Sequence, residues 1–215
     1  MATYESLITI KGAVGDLVFY NLNGKNVVRK KSGFNKNAFK KSPSYEKVRQ
    51  NSSEFGHCSK VGKIIRITLD KYIKESGDPL LYQSFAKVMT EIKDLDIISE
   101  RGTRTVKNGL ETEKGRSILA NFKFGKILNL ENILSVKNGL FEKNIQFEKE
   151  ISADEIEMTS IKIDFENYLT VSFKDIISLE QQKKVSFQKH FKDDDFVLYF
   201  IALKKDGKIL NMGFV

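Results

Sequence analysis

Cysteine, proline, tryptophan and histidine are nearly missing from this chain: 215 residues hold one Cys, two Pro, two His and no Trp. The lone Cys58 excludes an intrachain disulfide framework and a cysteine-ligated zinc site. Two His, His57 and His190, give no Ser-His-Asp set that the sequence can argue for. No apolar run approaches the ~20 residues needed to span a bilayer. The longest, Phe196 to Leu203, has the length of a buried strand. Residues 1–20 lack a basic segment followed by an apolar one, so no signal peptide is expected. The protein therefore reads as cytoplasmic at synthesis, without a membrane partner.

What is present argues for folded domains. Apolar residues make up 40% of the chain, with 16 Phe and 7 Tyr, which excludes global disorder. The length suits one large or two small domains, each able to bury a core. The net charge of +8 is uneven: residues 1–75 carry 15 Lys/Arg against 6 Asp/Glu, and residues 76–215 carry 21 against 22. A basic half joined to a neutral half is suited to an acidic partner, either nucleic acid or a protein surface.

The most structured signal lies between Gly12 and Lys31. Asn23-Gly24 separates two β-rich runs, Leu17 to Leu22 and Lys25 to Arg29, and tolerates the positive φ angles of a type I′ turn. Gly12 and Gly15 are expected to mark a bend or bulge before the first strand. The hairpin leads into a basic tract, Arg29, Lys30, Lys31, Lys36, Lys40 and Lys41, interleaved with Phe34 and Phe39. This tract has few helix or strand signals of its own and reads as an arm for a partner. Aromatics among basic residues also suit single-stranded nucleic acid.

Ser42-Pro43-Ser44 starts a helix, with Ser44 as a candidate cap. Val48, Phe55, Cys58, Gly62, Ile65, Leu69 and Tyr72 then form one helical stripe, predicting a long helix from Tyr45 to Glu75. Gly62 weakens it or admits a close neighbour. Gly77, Asp78 and Pro79 supply a stop, a cap and a restart. A second helix buries Leu81, Phe85, Val88, Ile92 and Leu95, and the short linker predicts an antiparallel helical hairpin.

From about Ser99 the helical period disappears. Val-Lys-Asn-Gly-Leu occurs at 106–110 and 136–140, each copy reading as a strand and turn. Ile161, Ile163 and Phe165 alternate with polar residues, as do Leu169, Val171 and Phe173, and Val185 and Phe187 flank Ser186. Phe196 to Leu203 reads as a central strand, followed by an Asp206-Gly207 hairpin. Strands at this spacing predict a β-sandwich. The fold class is thus α+β: an N-terminal β-hairpin and basic arm over 1–43, a helical hairpin over 44–98, and an antiparallel β-sandwich over 99–215.

Candidate chemistry is thin. Gly12-Ala13-Val14-Gly15 matches a bare KH-type Gly-x-x-Gly, but its flanks are β-like, and no Gly-Lys-Ser/Thr follows to make a P-loop. His57 and Cys58 are adjacent on a helix and point about 100° apart, which argues against a dyad. His190 with Asp193, Asp194 and Asp195 lacks the spread of ligands a calcium loop needs. No catalytic, cofactor or metal site is assigned.

The pattern Lys11-Gly-x-x-Gly15-x-Leu-Val-x-Tyr20, then Asn23-Gly24-Lys25, Val28-Arg29, Ser42-Pro43, Val48-Arg49, Glu54-Phe55 and Phe85 resembles a family of uncharacterised proteins from Bacteroidota and their mobile elements. The likeness covers roughly residues 10–100, weakly reaches Ser135 to Gly139, and otherwise departs after Ser99. The family carries no activity to transfer, so the resemblance implies architecture alone. By analogy, the expected role is a non-enzymatic structural or assembly protein, such as a phage virion or tail component, whose arm meets protein subunits of a homo-oligomer or larger assembly. A nucleic-acid-binding accessory protein is the alternative.

Overall fold

Asn23 and Gly24 adopt φ of 51° and 83°, and the turn they make joins strands β3 (Leu17–Leu22) and β4 (Lys25–Lys30) with Leu22 opposite Lys25. A computed structural model describes residues 2–6, 9–31, 33, 36–139, 142–179 and 184–215. The chain divides into two units, Met1–Glu46 and Lys47–Val215.

In the first unit the hairpin is not bare. It lies within a four-stranded antiparallel sheet with β1 (Ala2–Thr3) and β2 (Gly12–Val14), in the order β1-β4-β3-β2. Gly15, at φ 55°, opens a two-residue turn between Val14 and Leu17, which is the expected bend, whereas Gly12 opens strand β2 at φ 114°. Tyr4 packs edge-on against Phe19 with centroids 5.7 Å apart, and its hydroxyl donates to the Ile10 carbonyl at 3.2 Å.

The basic tract also departs from expectation. It contains helix α1 (Lys36–Lys41), which stops at Ser42 because Pro43 disfavours helical geometry in the residue before it. Ser42 rather than Ser44 is the cap. Its Oγ accepts from the Ser44 N–H at 3.3 Å, at the start of a single 3-10 turn, Pro43–Tyr45.

Helix α2 (Glu46–Thr68) starts at the boundary between the units and is followed by α3 (Asp70–Ser76), separated from it at Leu69, where φ −98° and ψ 15° interrupt the expected continuous helix. Gly77 closes α3 in the left-handed conformation. Asp78 accepts from the Leu80 N–H at 2.8 Å, making a turn, and α4 (Leu81–Lys93) starts just after it. Gly62 does admit a neighbour: a Cβ there would sit 3.3 Å from Met89 Cγ. The buried stripe is Cys58, Val61, Ile65, Leu69 and Tyr72, whereas Val48 and Phe55 are exposed.

Two short helices follow where none was expected, α5 (Val106–Glu111) and α6 (Glu113–Ala120). Thr105 and Thr112 cap them, each hydroxyl accepting from the N–H three residues on. Gly109 lets α5 meet the end of α4, since a Cβ there would fall 2.0 Å from the Ile92 carbonyl oxygen. The first Val-Lys-Asn-Gly-Leu, expected as a strand and turn, lies wholly within α5. The second enters strand β5 (Leu134–Asn138), and its Leu140 lies outside the described residues. One pentapeptide in two structures is no repeat.

The strands are β6 (Glu142–Phe147), β7 (Glu155–Asp164), β8 (Leu169–Ser178), β9 (Lys184–Gln188), β10 (Val197–Lys205) and β11 (Lys208–Phe214). They form two antiparallel sheets, β11-β10-β7-β8 and β5-β6-β9. Strand β10 is central and buried on both sides, as its apolar run predicts. Asp206-Gly207 turns it into β11.

Alternation along β10 builds two cores. Leu198, Phe200 and Ala202 join the helices, with Phe85 and Phe124, while Ile201 and Leu203 join Ile145, Val185 and Phe187 of the smaller sheet. The second unit is thus layered as helices, four-stranded sheet and three-stranded sheet. The division expected near residue 99 is absent from this arrangement, because the helical stripe and the sheet share one core.

Candidate interaction surface

Burial separates the two units more sharply than charge. Among the described residues of Met1–Glu46 only Val27 is buried, at 3% exposure. Val14 and Leu17 lie opposite each other and remain 61% and 42% exposed, and Leu22 is also exposed. The unit carries eight Lys/Arg against three Asp/Glu.

The expected partner-binding residues are distributed over this unit. Arg29 lies opposite Val18 and Lys30 opposite Leu17, so the two occupy opposite faces of the sheet. Lys31 follows β4, its N–H donating to the Asp16 carbonyl at 2.7 Å. Lys36 and Lys40 are one helical turn apart on α1, with Lys41 beside them. Phe39 packs against Tyr45 with centroids 5.8 Å apart, tying α1 to the 3-10 turn. Phe34 lies outside the described residues. Gly15, Asn23 and Gly24 make the turns of the sheet that carries Arg29 and Lys30, and Gly12 opens its edge strand β2.

The second unit holds buried polar groups that periodicity did not reveal. Glu54 takes a stripe position on α2 and is 3% exposed. Its carboxylate accepts from Lys93 Nζ at 2.7 Å, Arg104 Nε and Nη2 at 2.8 Å, and the Gly102 N–H at 2.7 Å. The Arg104 guanidinium leads in holding its pKa down to about 2, with Lys93 and Gly102 adding to it against the effect of burial. Beside it, Asp96 accepts from the N–H groups of Ile98, Ser99 and Thr105. These bonds fasten the segment between α4 and α5.

A second buried carboxylate, Glu157 on β7, accepts from Lys174, Lys204 and the Tyr72 hydroxyl at 2.7, 2.9 and 2.8 Å. Burial opposes its charge, but these donors outweigh burial and bring its pKa to about 2. Both carboxylates are saturated with donors, an arrangement that stabilises charge rather than one poised to move a proton.

The residues with nucleophile or base chemistry are engaged elsewhere. His57 Nε2 accepts from the Val106 N–H at 3.0 Å, so in the neutral ring Nδ1 carries the proton and donates to the Tyr168 oxygen at 3.0 Å. Burial, aided by Lys60, lowers the His57 pKa and favours that neutral form. Cys58 is 1% exposed, and burial pushes its thiol up to about 11. His190 pairs with Asp175 at 2.7 Å rather than with the Asp193 to Asp195 run, and stacks on Phe173. Among the described residues no helix is long and apolar enough to cross a membrane.

The fold defines an α+β protein with a basic, poorly buried N-terminal sheet and a well-packed second unit. No protein-family model matches the chain, and no curated protein or solved structure matches it. Nothing in these comparisons bears on the Bacteroidota resemblance or on a phage particle.

Proposed function

We propose that the protein is a non-enzymatic assembly protein that engages protein neighbours through its N-terminal unit. The observation that carries this reading is a four-stranded sheet with one buried residue, Val27, and with Val14, Leu17 and Leu22 exposed. A small sheet with Val14 and Leu17 exposed on one face and Leu22 on the other gains stability by covering those residues against another surface. The basic residues around it favour an acidic neighbour. Saturated carboxylates and a buried thiol support the non-enzymatic part.

The basic cluster favours a second reading, nucleic-acid binding. Six residues, Arg29, Lys30, Lys31, Lys36, Lys40 and Lys41, would allow a log–log salt slope of about −4 on single strands. Phe39 counts against stacking on bases, since its ring already packs on Tyr45. The mass of the purified full chain, measured with its A260/A280 ratio at about 0.15 M salt, tests the choice. The expected result is a protein-only assembly larger than a dimer. A particle rich in nucleic acid, or a species no larger than a dimer, would overturn the assembly reading.

A further inference from the structure

Strand β8 runs along the edge of the four-stranded sheet and pairs with β7 in unbroken register from Leu169 to Ser178. Its other edge pairs with no strand among the described residues. Natural edge strands are guarded by shortness, proline, a bulge, a covering segment or a charge that juts outward. Strand β8 is long, regular and free of proline and glycine. Its two charges are turned to internal use, Lys174 bonding Glu157 at 2.7 Å and Asp175 pairing with His190 at 2.7 Å. The alternation Leu169, Val171, Phe173 predicts an apolar face turned inward, yet these residues are 62%, 55% and 44% exposed.

We propose that β8 is a self-association edge, where a second copy of this chain adds its own β8 antiparallel across a two-fold axis. Residues directly opposite each other in such a continued sheet share a face, so a residue meets either itself or one an even number of positions away. Centring the axis on Lys174 or Asp175 would oppose like charges. Centring it on Phe173 avoids this. Leu169 then meets Ile177 of the second copy, Val171 meets Asp175, Ser172 meets Lys174, and Thr170 meets Ile176. This register keeps Leu169 to Ile177 paired and gathers both copies of Leu169, Val171, Phe173 and Ile177 on one face, where each Asp175, held by its own His190, lies beside Val171 of the other copy. It is specified by charge and pattern within the strand and does not rest on the N-terminal unit.

A cysteine placed on the axis tests the register in the full chain. Phe173→Cys opposes its own copy at ~4.5–5.5 Å between Cα atoms, within disulfide range. Oxidation should yield a species of about 49 kDa, twice the 24.6 kDa chain. Leu169→Cys, held about 27 Å from its copy in this register, should not cross-link. The native Cys58 is buried and does not compete. Val171→Asp gains Lys162 opposite it within the chain but meets Asp175 of the second copy twice, so dimer Kd should rise about tenfold or more. In the unaltered protein, amide exchange along β8 should slow as concentration rises. Equal cross-linking of the two cysteine variants, or β8 exchange that ignores concentration, would overturn the proposal. Either result leaves the role of the N-terminal unit untouched.

Discussion

The two units carry similar kinds of strand but opposite amounts of core. In Met1–Glu46, four strands bury Val27 alone; in Lys47–Val215, sheets with comparable residue types bury Phe200, Ile201, Ile156 and Met158 essentially completely. The difference is a covering layer. Helices lie on one face of the larger second-unit sheet and the smaller sheet on the other. A strand pattern specifies pairing, but stability follows from what lies over the strands.

The strongest way to break that comparison is to remove the cover. A fragment of residues 101–215 lacks Cys58, Ile65, Phe85 and Met89 from the shared core, taking Tyr72 off Phe200 and Phe85 off Phe214 and leaving Phe124 as their remaining aromatic cover. It should lose its cooperative melt by circular dichroism and aggregate. A clean melt would show that the sheets are self-sufficient, as their strand pattern alone suggests.

The buried carboxylate comes next. Glu54→Ala strands Lys93, whose side chain is 6% exposed, without its buried partner, and should cost about 3–5 kcal/mol in denaturant unfolding. Phe85→Ala, in the same core, should cost a similar amount, about 3–5 kcal/mol. Acid gives a graded version. The Arg104, Lys93 and Gly102 donors around Glu54, and the Lys174, Lys204 and Tyr72 donors around Glu157, hold both folded carboxylates down to about 2, well below the ordinary glutamate range. Their contribution is therefore complete above about pH 5 and is lost as pH falls from there toward 2. A midpoint of denaturation that stays constant from pH 6 to about 3 would contradict this linkage.

The smallest expected effect is in the first unit. Gly24→Ala forces a side chain into φ 83° and should cost about 1 kcal/mol locally, seen as faster amide exchange in β3 and β4. The melting of the second unit should not move. A shared shift would mean that the two units unfold together.

What was legible in the chain follows the same division. The Asn23-Gly24 and Asp206-Gly207 turns, the Gly77 stop, the α4 stripe and the central β10 were readable because local geometry or period dictates them. Strand β2 was hidden because glycine carries no strand signal. Helices α5 and α6 are too short for a period, although Thr105 and Thr112, each three residues before the N–H it caps, were a usable sign. Nothing local in the sequence marks Glu54 and Lys93 as buried, because charge on a helix is usually solvated. Arg104, the partner that leads in lowering Glu54, lies fifty residues away, beyond any local pattern. The basic residues Arg29, Lys30, Lys36, Lys40 and Lys41 were visible as a cluster, but their division between two sheet faces and a helix needed the strand register.

The contrast between a sheet without a core and a unit with two cores is tested most directly by removing the first unit. Sedimentation and thermal melting of the full chain and of residues 47–215, at equal concentration, give both quantities at once. The account predicts that the shortened chain melts at the same temperature as the second unit of the full protein and forms nothing larger than a dimer. A shortened chain that assembles like the full one, or that no longer folds, would contradict it.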